Sequence, residues 1–220
     1  MQAETLNSLL RLFPPLDRKA QQISLSLYRL LAGGAPVSRK QLAEAAGMPE
    51  TEVTQVLAQW PGLYYDQRGS VIAYWGLTIR PMTHRLRFNG RTVYAWCAWD
   101  TLFLPELLGL NVEIESACPV NKTLIRLSVT PQGISRCEPD GAVISLVTPT
   151  AVQVQENVVT HFCHYVHYFA SPAAGAEWVA RNPGTFILPI AEAHALGRQK
   201  NAVQYPDALF HSSNIPSNRS

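Results

Sequence analysis

Charged side chains are scarce in this chain of 220 residues. Lys and Arg number 18 and Asp and Glu 16, so 15% of the residues are charged, against about 25% in an average soluble domain. Hydrophobic residues reach 47%, whereas disordered chains combine low hydrophobicity with high net charge. The composition therefore excludes a disordered chain and predicts a globular protein with a sizeable core. Its net charge of +2 gives no argument for nucleic acid as a partner.

Long apolar runs are missing as well. No stretch approaches the roughly 18 uncharged apolar residues that a transmembrane helix requires, so we expect no membrane partner. The segment 1–15 has Glu4 ahead of its first basic residue, Arg11, and it lacks the basic, apolar and cleavage regions of a signal peptide. These absences predict a cytoplasmic protein.

Cysteine occurs four times, but without any paired spacing. Neither a CxxC pair nor another zinc-finger spacing is present, and disulfides are rare in the cytoplasm. We therefore expect isolated thiols that only the fold can bring together. They are Cys97, Cys118, Cys137 and Cys163.

The segment 1–80 is predicted to form a winged-helix-like module. Helical spacing of apolar residues starts at Asp17, Ser38 is a good N-cap for a second helix, and a third helix is predicted over 50–60. Two short stretches, LYYD and SVIAYWGLT, flank the turn residues 66–69 and predict a β-hairpin. Helix, helix-turn-helix and hairpin is the element order of a winged helix.

This element order suggests DNA binding, but the charges argue against it. A recognition helix presents Lys, Arg, Asn or Gln to phosphates and base edges. The third predicted helix, PETEVTQVLAQW, contains no basic residue and carries Glu50 and Glu52. A module that packs against the main domain is therefore the preferred interpretation. A mercury- or metal-responsive winged-helix regulator stays open as the alternative.

The segment 81–205 consists of short β-rich stretches separated by turn residues. It predicts an α+β core of mainly antiparallel strands, including one strand formed by VVTHFCHYVHYFA. Helices are expected at Trp99–Leu108, Ala173–Arg181 and Ile190–Gly197. The residues 206–220 are predicted to be a polar C-terminal tail with frayed ends.

The segment YAWCAWD places a carboxylate, Asp100, in an aromatic run three residues after Cys97. One interpretation is that Asp100 caps the following helix by accepting hydrogen bonds from first-turn amides, with Cys97 as a small buried hydrophobe. In the other, both residues face a pocket at the start of a helix, whose dipole favours an ionised thiol or carboxylate. The two interpretations are compatible, since a capping carboxylate can also carry a proton.

A second segment, His161–Tyr168, concentrates histidines around Cys163. As a strand it would put His161, Cys163 and His167 on one face, because side chains alternate along a strand. That arrangement permits a zinc site, and a Cys–His hydrolase is a further option, although the cysteines lie in no motif known for that chemistry. Cys137 is predicted to lie in a loop and to have no role.

These segments resemble the organomercurial lyases, or alkylmercury lyases, of bacterial mercury resistance. The matching motifs include YAWCAWDTLFLP at Tyr94–Pro105, SAC at Ser116–Cys118, the FC-x-x-VH-x-F-x-S pattern at Phe162–Ser171 and GLT at Gly76–Thr78. The resemblance covers most of residues 35–198. It implies an enzyme that cleaves the carbon–mercury bond by protonolysis, giving a hydrocarbon and thiolate-bound Hg(II).

The resemblance also implies a role for each matching residue. Cys97 and Cys163 correspond to the two mercury-binding cysteines of the family. Asp100 corresponds to its catalytic carboxylate, and Cys118 to its buried structural cysteine.

Two positions depart from the family pattern. Trp99 stands where the family usually has leucine, and His164 follows Cys163 at a position where relatives differ. Trp96 and Trp99 are expected to line the substrate pocket, so that Trp99 can alter which organic groups fit.

The chemistry of mercury explains why such residues are needed. Mercury is a soft metal, for which thiolates are the preferred protein ligands. We expect Cys97 to displace the solution thiol that carries the organomercurial, and Cys163 to add as a second ligand. Asp100 then protonates the carbon, because burial in an apolar pocket favours a neutral carboxyl.

The resemblance further implies which other molecules take part. No cofactor is expected, since mercury is part of the substrate and the product. Low-molecular-weight thiols are needed for turnover, and a mercuric reductase is the expected acceptor of Hg(II).

Overall fold

A computed structural model describes residues 9–148 and 157–212, without the side chains of 210–212. The helices are α1 (Arg18–Leu31), α2 (Arg39–Ala46), α3 (Glu50–Leu57), α4 (Asp100–Leu108), α5 (Pro172–Arg181), α6 (Ile190–Gln204) and α7 (Pro206–Ser212). The strands are β1 (Leu63–Tyr65), β2 (Val71–Tyr74), β3 (Leu77–Thr78), β4 (His84–Phe88), β5 (Arg91–Ala95), β6 (Val112–Ala117), β7 (Leu124–Val129), β8 (Ile134–Glu138), β9 (Val143–Val147), β10 (Tyr168–Phe169) and β11 (Thr185–Pro189). The α+β class predicted from the sequence is confirmed.

The first three helices form where the capping residues predict them. The Asp17 carboxylate accepts a hydrogen bond from the Ala20 backbone N–H at the start of α1. Ser38 begins α2 with a capping box that it shares with Gln41, which satisfies two otherwise unpaired groups. Helix α3 ends at Leu57, three residues earlier than predicted.

The predicted hairpin forms, but it is not a separate wing. Strands β1 and β2 pair in antiparallel fashion, and β2 also pairs with β3. All three belong to the main sheet, whose order is β1-β2-β3-β5-β4-β6-β7-β8. The stretch predicted as one strand, SVIAYWGLT, turns back at Trp75 and Gly76, which have φ of 33° and 96°. Strands β1 to β3 of the N-terminal module and strands β4 to β8 therefore form one sheet of eight strands.

A smaller sheet of order β10-β9-β11 packs beside helix α5. The strand predicted over VVTHFCHYVHYFA is wrong for most of its length. Residues 157–161 are helical, Cys163–Tyr165 form a short 3-10 turn, and pairing with β9 starts only at Tyr168. Ser145 explains the late start, because its hydroxyl donates to the Tyr165 carbonyl and accepts from the His167 backbone N–H.

Three smaller expectations also need correction. Cys137 lies in strand β8 and not in a loop. Helix α6 continues past Gly197 to Gln204, because this glycine serves packing and not termination: a Cβ there would meet the Cβ of Phe103 at 3.0 Å. The predicted tail begins as helix α7, whose first amides bind the side chain of Gln21, and 213–220 lie outside the described residues.

Buried hydroxyl groups tie the N-terminal helices to the rest of the protein. The Tyr28 hydroxyl on α1 donates to the Trp75 carbonyl at 2.9 Å. Ser24, one turn earlier, hydrogen-bonds both Tyr205 and Tyr74. Helix α1 therefore holds the Trp75–Gly76 turn from behind. None of the helices in the described residues has the length and apolarity to cross a membrane.

Candidate active site

Three separate turns meet at one buried point of the structure. The first joins β5 to α4 through residues 96–99, the second joins β2 to β3 at Gly76, and the third contains Cys163. The Trp96 backbone N–H donates to the Gly76 carbonyl at 2.9 Å, and the Ala98 backbone N–H donates to the Val166 carbonyl at 3.2 Å. Backbone hydrogen bonds therefore fix the relative positions of all three turns.

These turns bring together the three residues that the sequence singles out. The Sγ atoms of Cys97 and Cys163 and a carboxylate oxygen of Asp100 all lie within 4.8 Å of one another. Cys97 is 0%, Cys163 4% and Asp100 6% exposed. Two thiols and a carboxyl at this distance can hold one soft metal ion and supply a proton beside it.

Asp100 does not cap helix α4 in the way that the sequence suggested. It is the first residue of the helix, and Trp99 at the N-cap position makes no side-chain capping hydrogen bond. Its Oδ2 atom instead accepts a hydrogen bond from the Cys97 backbone N–H at 2.8 Å. The carboxylate thus points back toward the cysteine, as the pocket interpretation requires.

Burial dominates the acidity of this carboxyl. It raises the pKa of Asp100 from 3.8 to about 6, although hydrogen bonds with Cys97 and the charge of Lys200 pull the pKa down. The neutral and ionised forms of Asp100 are therefore close in free energy near neutral pH. Such a group can both accept and donate a proton during a reaction.

The two thiols differ in acidity. Burial, a hydrogen bond to Cys163 and the charge of Asp100 raise the pKa of Cys97 well above its ordinary value. For Cys163 the hydrogen bond from Cys97 lowers the pKa, but burial and Asp100 outweigh it, and the net direction is upward. Both cysteines are therefore thiols in the resting protein, and their protons must leave when a metal binds.

Aromatic rings enclose the small space in front of Asp100 and Cys163. A cavity of about 10 Å³ remains there, which is at the lower limit for one water molecule. Its aromatic walls are Phe13, Trp75, Trp96, Trp99, Phe103 and Phe162. The expected pocket residues, Trp96 and Trp99, both line it.

The zinc and Cys–His interpretations lose their structural basis. Because the segment around Cys163 is a turn, the predicted face of His161, Cys163 and His167 does not exist. His167 hydrogen-bonds the His164 carbonyl and packs on Trp178. Across the described residues, the group with metal-binding geometry consists of two cysteines and one aspartate, without a histidine.

The other two cysteines lie outside this group. Cys118 is fully buried just after β6, where its backbone N–H donates to the Thr123 carbonyl. Burial agrees with the structural role that the resemblance implies. Cys137 is half-buried on β8, and its thiol points to the Pro139 carbonyl at 3.8 Å.

Comparisons with known proteins agree with this geometry. A family model described as alkylmercury lyase matches residues 77–200, and a model of the helix-turn-helix domain of alkylmercury lyase matches 16–74. The alkylmercury lyase of Staphylococcus epidermidis is 40% identical over 80% of this chain and 80% of its own. That of Bacillus cereus is 41% identical over 78% of this chain and 77% of its own.

The chain belongs to the alkylmercury lyase family. A crystal structure of the mercury-bound form of MerB2 has the same fold, with a TM-score of 0.70 over 90% of this chain and 97% of that one, at 24% identity. These matches support the lyase activity and not the DNA-binding regulator. The acidic helix α3 agrees with this outcome, since Glu52 forms an ion pair with Lys19 at 2.6 Å.

One charged residue of this alkylmercury lyase family member lies near the site without having been predicted from the sequence. Lys200 on α6 is 2% exposed, and its Nζ atom lies 3.7 Å from the ring centre of Phe103. Burial lowers the pKa of Lys200 to about 7, against the opposing influence of Asp100 and Glu106. The burial of Lys200 could have been predicted from helical spacing, because the spacing from Ala193 and Leu196 places position 200 on the buried face of the helix.

Gly76 allows the close approach of Asp100. A Cβ at position 76 would lie 2.5 Å from both Cγ and Oδ1 of Asp100, and φ is 96°. We expect Gly76→Ala to displace the carboxylate and to lower turnover by about 100-fold, the effect of misplacing a reacting group by about 1 Å. Hydrocarbon release from an organomercurial in excess thiol measures this.

Gly109→Ala is the matched control for backbone strain. Gly109 also has a positive φ, of 67°, but no heavy atom lies within 4 Å of its ideal Cβ position. It should lose about 1 kcal/mol of stability and keep its turnover. Equal turnover in the two variants would contradict the positioning role of Gly76.

The raised pKa of Asp100 predicts a pH-dependent stability. Since the folded pKa is about 6 and the ordinary value 3.8, its stabilising contribution is complete below about pH 4 and lost as pH rises to about 6. The free energy of unfolding of wild type minus that of Asp100→Asn should therefore fall by about 3 kcal/mol over this range. Urea denaturation of both proteins at about pH 4 and about pH 7 measures the difference. A constant difference would mean that Asp100 has an ordinary pKa.

Proposed function

We propose that this protein cleaves the carbon–mercury bond of organomercury compounds with Cys97, Cys163 and Asp100. The observation that carries the proposal is the buried group of two thiols and one carboxyl within 4.8 Å. Thiolates are the ligands that mercury prefers, and the carboxyl provides the proton that a carbon leaving group requires. Membership of the alkylmercury lyase family supports the same reaction.

Exposure and acidity favour Cys163 as the first cysteine to bind substrate. Cys163 lines the cavity, whereas Cys97 is fully buried behind it and donates a hydrogen bond to it. This order is the reverse of the one expected from the sequence. The Cys163 thiolate displaces the solution thiolate from mercury, and the proton of the Cys163 thiol leaves with that solution thiol.

Cys97 then binds mercury as the second ligand and passes its proton to Asp100. Two thiolates on mercury increase the electron density at the attached carbon. Asp100 returns the proton to that carbon as the carbon–mercury bond breaks, so the hydrocarbon leaves and Hg(II) stays on the two thiolates. A carboxyl with a pKa of about 6 suits both transfers near neutral pH.

Other molecules complete the cycle. Two solution thiols must remove Hg(II) and return protons to Cys97 and Cys163. A mercuric reductase is the partner that we propose as the eventual acceptor of Hg(II). The reaction as written needs no cofactor beyond the external thiol, and we propose a cytoplasmic location, where thiols are abundant.

The N-terminal module serves the enzyme as a support in this proposal. Its Tyr28 hydroxyl binds the Trp75 carbonyl, next to the glycine that faces Asp100. The module also contributes three strands to the sheet that carries the site. Nothing in its charge distribution calls for a nucleic-acid partner.

Substitution of single cysteines tests the thiolate pair. Cys97→Ser and Cys163→Ser should each abolish release of benzene from phenylmercury in excess thiol, because a serine hydroxyl is a poor ligand for a soft metal. Cys137→Ser is the matched control and should keep wild-type turnover, since its thiol lies on β8. Full activity in either of the first two variants would remove the thiolate pair from the mechanism.

Substitution of Asp100 separates binding from proton transfer. Asp100→Asn keeps the size of the side chain and both thiols, so it should bind about one equivalent of organomercurial. Its hydrocarbon release should fall by roughly 100- to 10,000-fold, the usual contribution of a general acid. Wild-type turnover would reduce Asp100 to a residue that only orders the turn at Cys97.

A further inference from the structure

We propose that Trp99 limits the size of the organic group, so that it disfavours aryl groups relative to short alkyl groups, compared with a smaller residue at position 99. The inference rests on the lyase activity proposed above and adds its substrate preference. Trp99 directly precedes Asp100 and lines the same cavity. Its side chain therefore borders the place where the carbon that receives the proton must lie.

The space in front of Asp100 is too small for any organic group in the resting structure. The cavity holds about 10 Å³, roughly one water molecule. Some wall must move to admit a substrate, and the walls that stay in place decide what fits. Substrate selection therefore depends on which aromatic side chains are held most firmly.

Trp99 is a firmly held wall. Its indole Nε1 donates to the Ala193 carbonyl at 2.9 Å, and the side chain is 1% exposed. Breaking that buried hydrogen bond would leave a donor and an acceptor without partners, which is unfavourable. Helix α6 also backs directly onto the ring, since a Cβ at Gly197 would lie 3.5 Å from Nε1.

Three neighbouring aromatic rings also pack against the Trp99 side chain. Phe13, Phe103 and Phe162 meet it edge-on, with ring centres 5.4 to 5.7 Å away. By contrast, Trp75, which lines the same cavity and lies in the β2–β3 turn with a φ of 33°, is only half-buried. Rotation of the Trp75 side chain on its fixed backbone would admit the substrate, while Trp99 keeps its place beside Asp100.

The preference follows from this difference. A methyl group needs little room between Trp99 and Asp100, whereas a planar phenyl ring needs a pocket that Trp99 occupies. A residue of smaller volume at position 99 would add space at the point of proton transfer. Packed interiors respond to changes of even one methylene, so this residue can control the choice of substrate.

The test compares two substrates in wild type and Trp99→Leu. Methane release from methylmercury and benzene release from phenylmercury give kcat/KM for each compound in excess thiol. We expect the phenyl-to-methyl ratio of kcat/KM to rise at least about tenfold in Trp99→Leu, in line with the selectivity that pocket size provides. Trp99→Met, which also shortens the side chain, should shift the ratio in the same direction.

Two controls separate size from other effects. Trp99→Phe removes the Nε1 hydrogen bond but keeps an aromatic ring, so its ratio should rise less than that of Trp99→Leu. Trp60→Leu removes an indole that stacks on Tyr74 with ring centres 5.2 Å apart and should leave the ratio unchanged.

The outcomes distinguish this inference from the function on which it rests. An unchanged or lowered ratio in Trp99→Leu and Trp99→Met, with methylmercury turnover retained, overturns the role of Trp99 and leaves the lyase activity intact. An equal rise in Trp60→Leu overturns it as well. Absence of turnover of both compounds in wild type overturns the proposed function and this inference together.

Discussion

The hydrogen bond from the Cys97 backbone N–H to the Asp100 carboxylate is the interaction on which the site depends. It turns a carboxyl at the start of a helix back toward a thiol, three residues earlier in the chain. Two further backbone bonds, from Trp96 to Gly76 and from Ala98 to Val166, join this turn to the other two turns of the site. The position of Asp100 is therefore set by the backbone hydrogen bonds of these three turns.

Burial gives this arrangement its chemistry. A carboxyl and two thiols that share an apolar pocket disfavour additional negative charge, so the resting site keeps protons on both sulfurs. An incoming soft cation reverses that preference, because it forms bonds with thiolates and compensates their charge. A proton released from a thiol can then bind to the carboxylate of Asp100, whose pKa burial raises to about 6. Desolvation therefore keeps both thiols protonated in the free protein and also raises the pKa of Asp100, so that its carboxyl can donate a proton to the carbon.

The sequence predicted the parts of the site that are local and missed those that are not. Cys97 and Asp100 stand three residues apart in one aromatic run, so their proximity follows from a single turn. Cys163 was assigned through the family resemblance, because strand periodicity alone gave a histidine-rich face that the turn at Cys163–Tyr165 abolishes. Lys200 and Phe13 come from opposite ends of the chain, and only tertiary packing brings the Lys200 Nζ atom to 5.6 Å from the ring centre of Phe13. The role of Gly197 was missed for the same reason, since its partner is the side chain of Phe103.

The continuity of the sheet changes how the N-terminal module is understood. A winged hairpin that binds DNA presents its strands outward, whereas here β2 pairs with β3, and β3 pairs with β5, the strand that leads to Cys97. The turn between them carries Gly76, and Tyr28 of helix α1 holds that turn at the Trp75 carbonyl. The N-terminal module therefore contributes Phe13, Trp75 and Gly76 to the lining of the candidate pocket. Helix α3 contributes no residue to that lining, so its acidic side chains take no part in the proposed reaction.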